Sequence, residues 1–126
     1  MKELIKELNV SIDEKYLITL KTLGAVKPFS TLRNSDREME TLVELYKIYN
    51  KHHELPPEER NRLVFDYYSI QRIADKMGVS KGRVFNLVSS LIDRGFIYRN
   101  ENGKRMMNPK YVIPEDLEVI TFRFKK

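Results

Sequence analysis

The stretch from Tyr68 to Arg99, YSIQRIADKMGVSKGRVFNLVSSLIDRGFIYR, limits what this chain can fold into more than any other. Its apolar residues form two runs joined by Met77-Gly78-Val79-Ser80. Ile70, Ile73, Ala74 and Met77 make the first run; Val84, Leu87, Val88, Leu91 and Ile92 make the second. Both follow the i, i+3, i+4, i+7 spacing that places one stripe of a helix in a core. Ser69 and Ser80 stand where N-caps belong, since a hydroxyl accepts a hydrogen bond from a first-turn N–H. Tyr68/Ile73 and Val79/Val84 have the spacing of hydrophobic staples. Gly78 suits the left-handed residue that ends a helix, and Ala74 is small enough for a second helix to cross closely. The prediction is two short helices crossing at a tight glycine turn.

Ile73, Ala74, Met77, Gly78, Val79, Val84 and Leu87 fill the apolar, small, apolar, glycine, apolar, apolar, apolar positions of the helix-turn-helix pattern. The continuation LIDRGFIYRNENGKRMMNPKYVI reads as the end of a recognition helix and a two-stranded wing. The whole unit resembles winged-helix DNA-binding domains. From residue 35 onward, the phrase LVFDYYSIQRIADKMGVSKGRVFNLVSSLIDRGFI with NPKYVIPED and a terminal ITFRF is similar to small winged-helix proteins of tailed bacteriophages. More distantly, the winged part resembles MarR-type regulators and plasmid replication initiators, without an obvious long C-terminal dimerisation helix of the MarR kind. The resemblance implies an α+β winged helix-turn-helix with an N-terminal helical extension and a C-terminal β-strand. The expected divisions are an extension over 1–34, the winged helix-turn-helix over 35–113, and a strand over 114–126 packing on the same domain.

At 126 residues the chain can bury one real core but not two ordinary ones. A hydrophobic share of 41% beside a charged share of 33% reads as globular rather than disordered. The sequence has no apolar run near the roughly 20 residues of a membrane helix, and no secretory signal is visible after Met1. With no cysteine there is no disulfide framework, zinc finger or thiol nucleophile, which fits an intracellular, cytoplasmic setting. Net charge is +5, and its placement is more telling than its size. Residues 1–68 carry 11 Lys/Arg against 12 Asp/Glu, and residues 114–126 carry three of each. Residues 69–113 carry nine against three, so the excess positive charge coincides with the helix pair and wing. Concentrated positive charge is what a duplex requires, because it presents a phosphate about every 1.7 Å of axis.

Elsewhere the pattern is coarser. Leu4, Ile5 and Leu8 suggest a short first helix, and Asp13 is positioned to cap a second one ending at Gly24. Ala25 to Asn34 reads as a connector. Ser35 and Glu38 have capping-box spacing ahead of Met39, Leu42, Val43, Tyr46 and Tyr49, so a helix is predicted over 35–50. Pro57-Glu58-Glu59 can begin another. Leu63 to Tyr67 is apolar, β-branched and aromatic, and is predicted as a short strand. Phe96 to Asn100 and Arg105 onward read as strands around Glu101-Asn102-Gly103, where Asn-Gly is a hairpin signal with both residues at positive φ, and Asn108-Pro109 interrupts the return strand. Val119 to Phe124 alternates as a half-buried strand. His52 and His53 are adjacent and cannot both face one metal from a regular helix.

On a helical wheel over 81–93, burial of the apolar stripe turns Gly82, Asn86, Ser89 and Asp93 outward, flanked by Arg83, Phe85 and Ser90. Asn reads adenine and Arg reads guanine, each through two hydrogen bonds, and Phe85 can meet a thymine methyl. Gly82 permits close backbone approach. Ser69, Gln71, Ser80, Lys81, Lys104 and Arg105 suit phosphate contacts, whereas Asp93 belongs beyond the groove. No phosphate loop, HExxH or activated nucleophile is visible, so neither an enzyme nor a cofactor or metal site is expected. The expected function is sequence-selective binding of double-stranded DNA by a phage or mobile-element transcriptional regulator. The alternatives are a replication-initiation accessory, or a winged-helix protein-interaction module in a transcription or structural assembly. A homodimer and a transcription-machinery partner both stay open; a membrane partner is not expected.

Overall fold

The structure is a computed structural model, and it describes residues 12–32 and 35–114. Five α-helices lie among them: α1 (Ile12–Thr22), α2 (Asp36–Lys51), α3 (Pro57–Val64), α4 (Tyr67–Met77) and α5 (Lys81–Arg94). They precede an antiparallel hairpin of β1 (Ile97–Arg99) and β2 (Arg105–Met107), with Ile97 opposite Met107, Tyr98 opposite Met106 and Arg99 opposite Arg105. The described chain is thus α+β, mostly helical with one small sheet. None of its helices is long and apolar enough to cross a membrane. The first helix expected around Leu4–Leu8 and the strand expected at Val119–Phe124 lie outside the described residues.

Helix α2 is the post around which the others stand. Thr41, Leu42 and Leu45 are wholly enclosed, and Met39, Val43, Tyr46 and Tyr49 are also buried. Tyr16 and Leu20 of α1, Ile70, Ile73 and Ala74 of α4, and Val84, Val88 and Leu91 of α5 join the same cluster. Full enclosure of each large apolar side chain is worth about 1.5–3 kcal/mol. The polar groups inside are matched. The Tyr46 hydroxyl donates to the Tyr111 carbonyl at 2.6 Å, and Asn50 donates to the Tyr16 hydroxyl at 2.8 Å and the Ile113 carbonyl at 2.9 Å. Burial, and next the nearby Tyr16, push the Tyr46 phenol above its ordinary pKa, so it remains a donor.

The turn between α4 and α5 forms as the glycine predicts. Gly78 takes φ +70°, the Val79 N–H reaches the Ala74 carbonyl at 3.0 Å, and the Gly78 N–H reaches Asp75 at 3.3 Å. These paired bonds satisfy carbonyls that a helix end leaves open. Gly95 ends α5 in the same way (φ +95°), and its Phe96 neighbour turns into the core. Ser80 caps α5 by accepting the Arg83 N–H at 3.0 Å.

Several expectations are corrected. Leu63 to Tyr67 is not a strand: α3 runs through Val64, Phe65 ends it, and α4 begins at Tyr67. Proline and two glutamates at the start of α3 favour a helix, and the described sheet has only its two hairpin strands. The cap of α4 is Asp66, not Ser69, because the carboxylate accepts the Ser69 N–H at 2.8 Å while the Ser69 hydroxyl donates to the Leu63 carbonyl at 2.7 Å. The staple moves with it, from Tyr68/Ile73 to the buried pair Phe65 and Ile70; Tyr68 is exposed. Neither half of the capping box forms: the Ser35 hydroxyl accepts from Arg94 at 3.2 Å instead of capping, and the Glu38 carboxylate is drawn to Arg94 and to the Ser90 hydroxyl, the latter at 2.7 Å. Asp13 lies within α1 rather than capping it, and α1 gives way to a 3-10 turn, Leu23–Ala25, that contains Gly24. A second 3-10 turn, Phe29–Leu32, lies within the expected connector. The hairpin is closed by Glu101, Asn102 and Gly103, the connection expected between its strands, with the Asn100 N–H reaching the Lys104 carbonyl at 2.9 Å. The Asn100 side chain accepts from the N–H groups of Asn102 and Lys104, and of the Asn102-Gly103 pair it is Gly103 that takes a glycine-type φ of +78°.

Two consequences can be measured. Asn61, 3% exposed, accepts the Met107 N–H at 2.6 Å and donates to the Pro57 carbonyl at 2.8 Å. Asn61→Ala strands a buried strand N–H and should cost about 1–3 kcal/mol in urea unfolding; a loss under about 0.5 kcal/mol would refute the clamp. Burial opposes ionisation of Asp13, but hydrogen bonds and charge from Lys47 and Lys76 outweigh it and hold the carboxyl below its ordinary 3.8. A depressed acid stabilises the fold above its unfolded pKa and loses that contribution as pH falls through the folded one. Wild type should therefore lose more melting temperature than Asp13→Asn on acidification below 3.8.

Candidate nucleic-acid interface

Helix α5 presents its outward face as the wheel requires. Gly82, Arg83, Asn86, Ser89 and Asp93 are exposed, while Val84, Leu87, Val88 and Leu91 are buried. Ser80 is spent on its cap, and Lys81 opens the helix beside it. The Lys81 ammonium sits 3.6 Å from the centre of the Tyr67 ring, which ties the start of α5 to the start of α4. Tyr67 and Tyr68 are 65% and 72% exposed, an unusual amount of ring for neighbouring positions to leave in water.

The hairpin meets α5 through Arg105. Its guanidinium lies 5.0 Å from the centre of the Phe85 ring, and Phe85 in turn packs half-buried on the core. Arg105 stands opposite Arg99 in the strand register. Burial first, and then the Arg99 charge, lower the Arg105 pKa, and its Nε has no hydrogen-bond partner. Arg99 reaches the Gly103 carbonyl at 3.1 Å, and Lys104 is exposed at the tip. A cation disfavoured in this way gains from any anion that approaches the hairpin.

The sequence-derived candidates therefore fall into two sets. Lys81, Gly82, Arg83, Phe85, Asn86 and Ser89 share α5, with Ser80 capping it, and Arg105 joins them through Phe85; Lys104 extends the row along the hairpin. Ser69 and Gln71 are already occupied: the Ser69 hydroxyl donates to the Leu63 carbonyl of α3, and the Gln71 amide donates to Asp75 within α4 at 2.9 Å. Tyr67, Tyr68 and Arg99 were not among the sequence candidates. The signal for the tyrosines is Asp66, whose cap makes them first-turn residues of α4 rather than the end of a strand. Among the described residues no group of three His, Cys, Asp or Glu comes together as a metal would need.

Gly82 has no internal reason to be glycine. A Cβ built there meets only the Ser80 hydroxyl oxygen, at an ordinary 3.9 Å. Comparison with protein-family models, curated proteins and solved structures gives no match to this chain. Gly82→Ala should raise unfolding stability by about 0.4–1 kcal/mol, because alanine restricts the unfolded chain and suits the helix. Destabilisation by the same substitution would mean that the fold itself needs this glycine.

Proposed function

We propose that the protein is a winged-helix DNA-binding protein that lays α5 in the major groove of a duplex and sets the β1–β2 hairpin on the flanking backbone. The observation that supports this reading most is the joining of two chemistries on one side. An exposed helix face of Arg83, Asn86 and Ser89 shares α5 with Lys81 and with Phe85, over whose ring lies Arg105 of the hairpin that also carries Arg99 and Lys104. A major groove about 12 Å wide admits a helix, and Asn86 and Arg83 have the donor and acceptor patterns that read adenine and guanine edges. Lys81 and the hairpin cations carry no sequence information but fix register on the phosphates. Phe85 acts as the support beneath Arg105. The non-essential glycine at 82 suits a helix start that comes close to a sugar–phosphate strand.

The resemblance to small winged-helix proteins of tailed bacteriophages supports a role as a phage or mobile-element transcriptional regulator in the host cytoplasm. One observation favours a protein-docking reading instead: the exposed tyrosines at 67 and 68 suit an interface as well as a backbone contact. Duplex affinity and its salt dependence separate the two. With about five phosphate contacts, log affinity should fall against log salt with a slope of about −4 to −5. Asn86→Ala should cost about 1–3 kcal/mol on the preferred site and little on random DNA, whereas Lys104→Ala should weaken both alike. Gly82→Ala should weaken duplex binding despite its stabilised fold. Absence of duplex binding at low salt sinks the DNA reading and leaves the docking module.

A further inference from the structure

A concave, cationic surface lies between α2 and α4, built from residues the α5 face does not use. The cleft is open to solvent and has a volume of about 370 Å³, within the usual range of small-ligand sites. Lys47, Lys51, Arg72 and Lys76 line it against one lining carboxylate, Glu44. Two of these cations are fixed in place. Lys47 binds Asp13 at 2.7 Å and Glu44 at 3.3 Å, and Lys76 binds the same two carboxylates at 2.9 Å each. The carboxylates are thereby committed to the two lysines. Arg72 and Lys51 are exposed, and no described residue pairs with either.

Four cations against two carboxylates around one hollow leave a surplus that repels itself. Spreading the charges over convex surface would relieve the repulsion, as would an anion seated among them. A guanidinium presents a planar fork of donors suited to two oxygens of a phosphate, and an ammonium supplies a mobile point charge beside it. Ile48 and Ile73 add apolar lining between the charged groups. We propose that the α2–α4 cleft binds a small phosphate-bearing ligand, with Arg72 and Lys51 gripping the phosphate and the Asp13–Glu44–Lys47–Lys76 network holding the wall. A free ligand is favoured over a DNA backbone phosphate because the site is a hollow with apolar lining rather than a convex ridge. The proposal does not rest on the duplex reading.

The test titrates the full chain with inorganic pyrophosphate at constant ionic strength and follows backbone amide shifts by NMR. Saturable shifts centred on Lys51 and Arg72 are expected, and the double variant Lys51→Gln/Arg72→Gln should weaken binding at least tenfold. Neither side chain has a described partner to lose, and the variant's amide spectrum reports whether it is folded. Asn86→Ala should bind pyrophosphate as wild type does. Duplex affinity of the double variant, measured in parallel, should stay within about twofold of wild type. Non-saturating shifts, or saturation untouched by the double variant, overturn the proposal. A double variant that loses duplex affinity, in a protein whose pyrophosphate shifts do not saturate, reassigns the cleft to flanking DNA and also overturns it.

Discussion

Enclosure of α2 is the constraint on which the other elements depend. A helix with Leu42 and Leu45 wholly out of water needs neighbours on several sides, and α1, α3, α4, α5 and the Phe29–Leu32 turn supply them. Each neighbour contributes one stripe of its own. Short helices such as α3 and α4 are marginal alone, so their stability comes from this packing rather than from propensity. The polar bonds then decide how the neighbours are set. Tyr46 and Asn50 fasten the segment after the hairpin to α2, and Glu38 fastens the end of α5 through Arg94.

That fastening carries through to the outer face. Phe96 follows Gly95 into the core and stacks edge-on with Phe29 and Tyr111, at ring-centre distances of 5.4 and 6.1 Å. The aromatic group anchors the base of the hairpin, and Asn61 anchors its return strand from α3. Arg105 is consequently delivered to Phe85, one helical turn along from Lys81. The cations stand around α5 because apolar contacts and one buried amide hold the hairpin there; a two-stranded hairpin by itself is marginal in water.

The α4–turn–α5 pair was legible because each local preference agreed with its burial. Gly78, Ser80 and the two apolar stripes all specify the same geometry, and such agreement across levels is what makes a segment readable. The outward set on α5 followed directly from the stripe. Where reading failed, side chains with two possible partners took the distant one. Glu38 fits a capping box by spacing, yet a charged Arg94 outcompetes a backbone N–H for its carboxylate. Asp13 fits an N-cap, yet two ammonium groups from other helices claim it. LVFDY has strand composition, but the described sheet pairs only β1 with β2, so the backbone groups of Leu63 to Tyr67 fall within helices and their caps.

The sequence by itself determined which segments could be amphipathic helices, where α4 and α5 turn, and that the surplus positive charge belongs to that half of the chain. These are local properties, set by periodicity, left-handed glycine and composition. Only the tertiary structure decided that Arg105 stacks on Phe85, that Tyr67 and Tyr68 stay in water, and that Arg72 and Lys51 face a shared hollow. Those outcomes depend on residues from separate elements meeting in space, and the one-dimensional spacing of a chain does not encode which long side chain finds which partner.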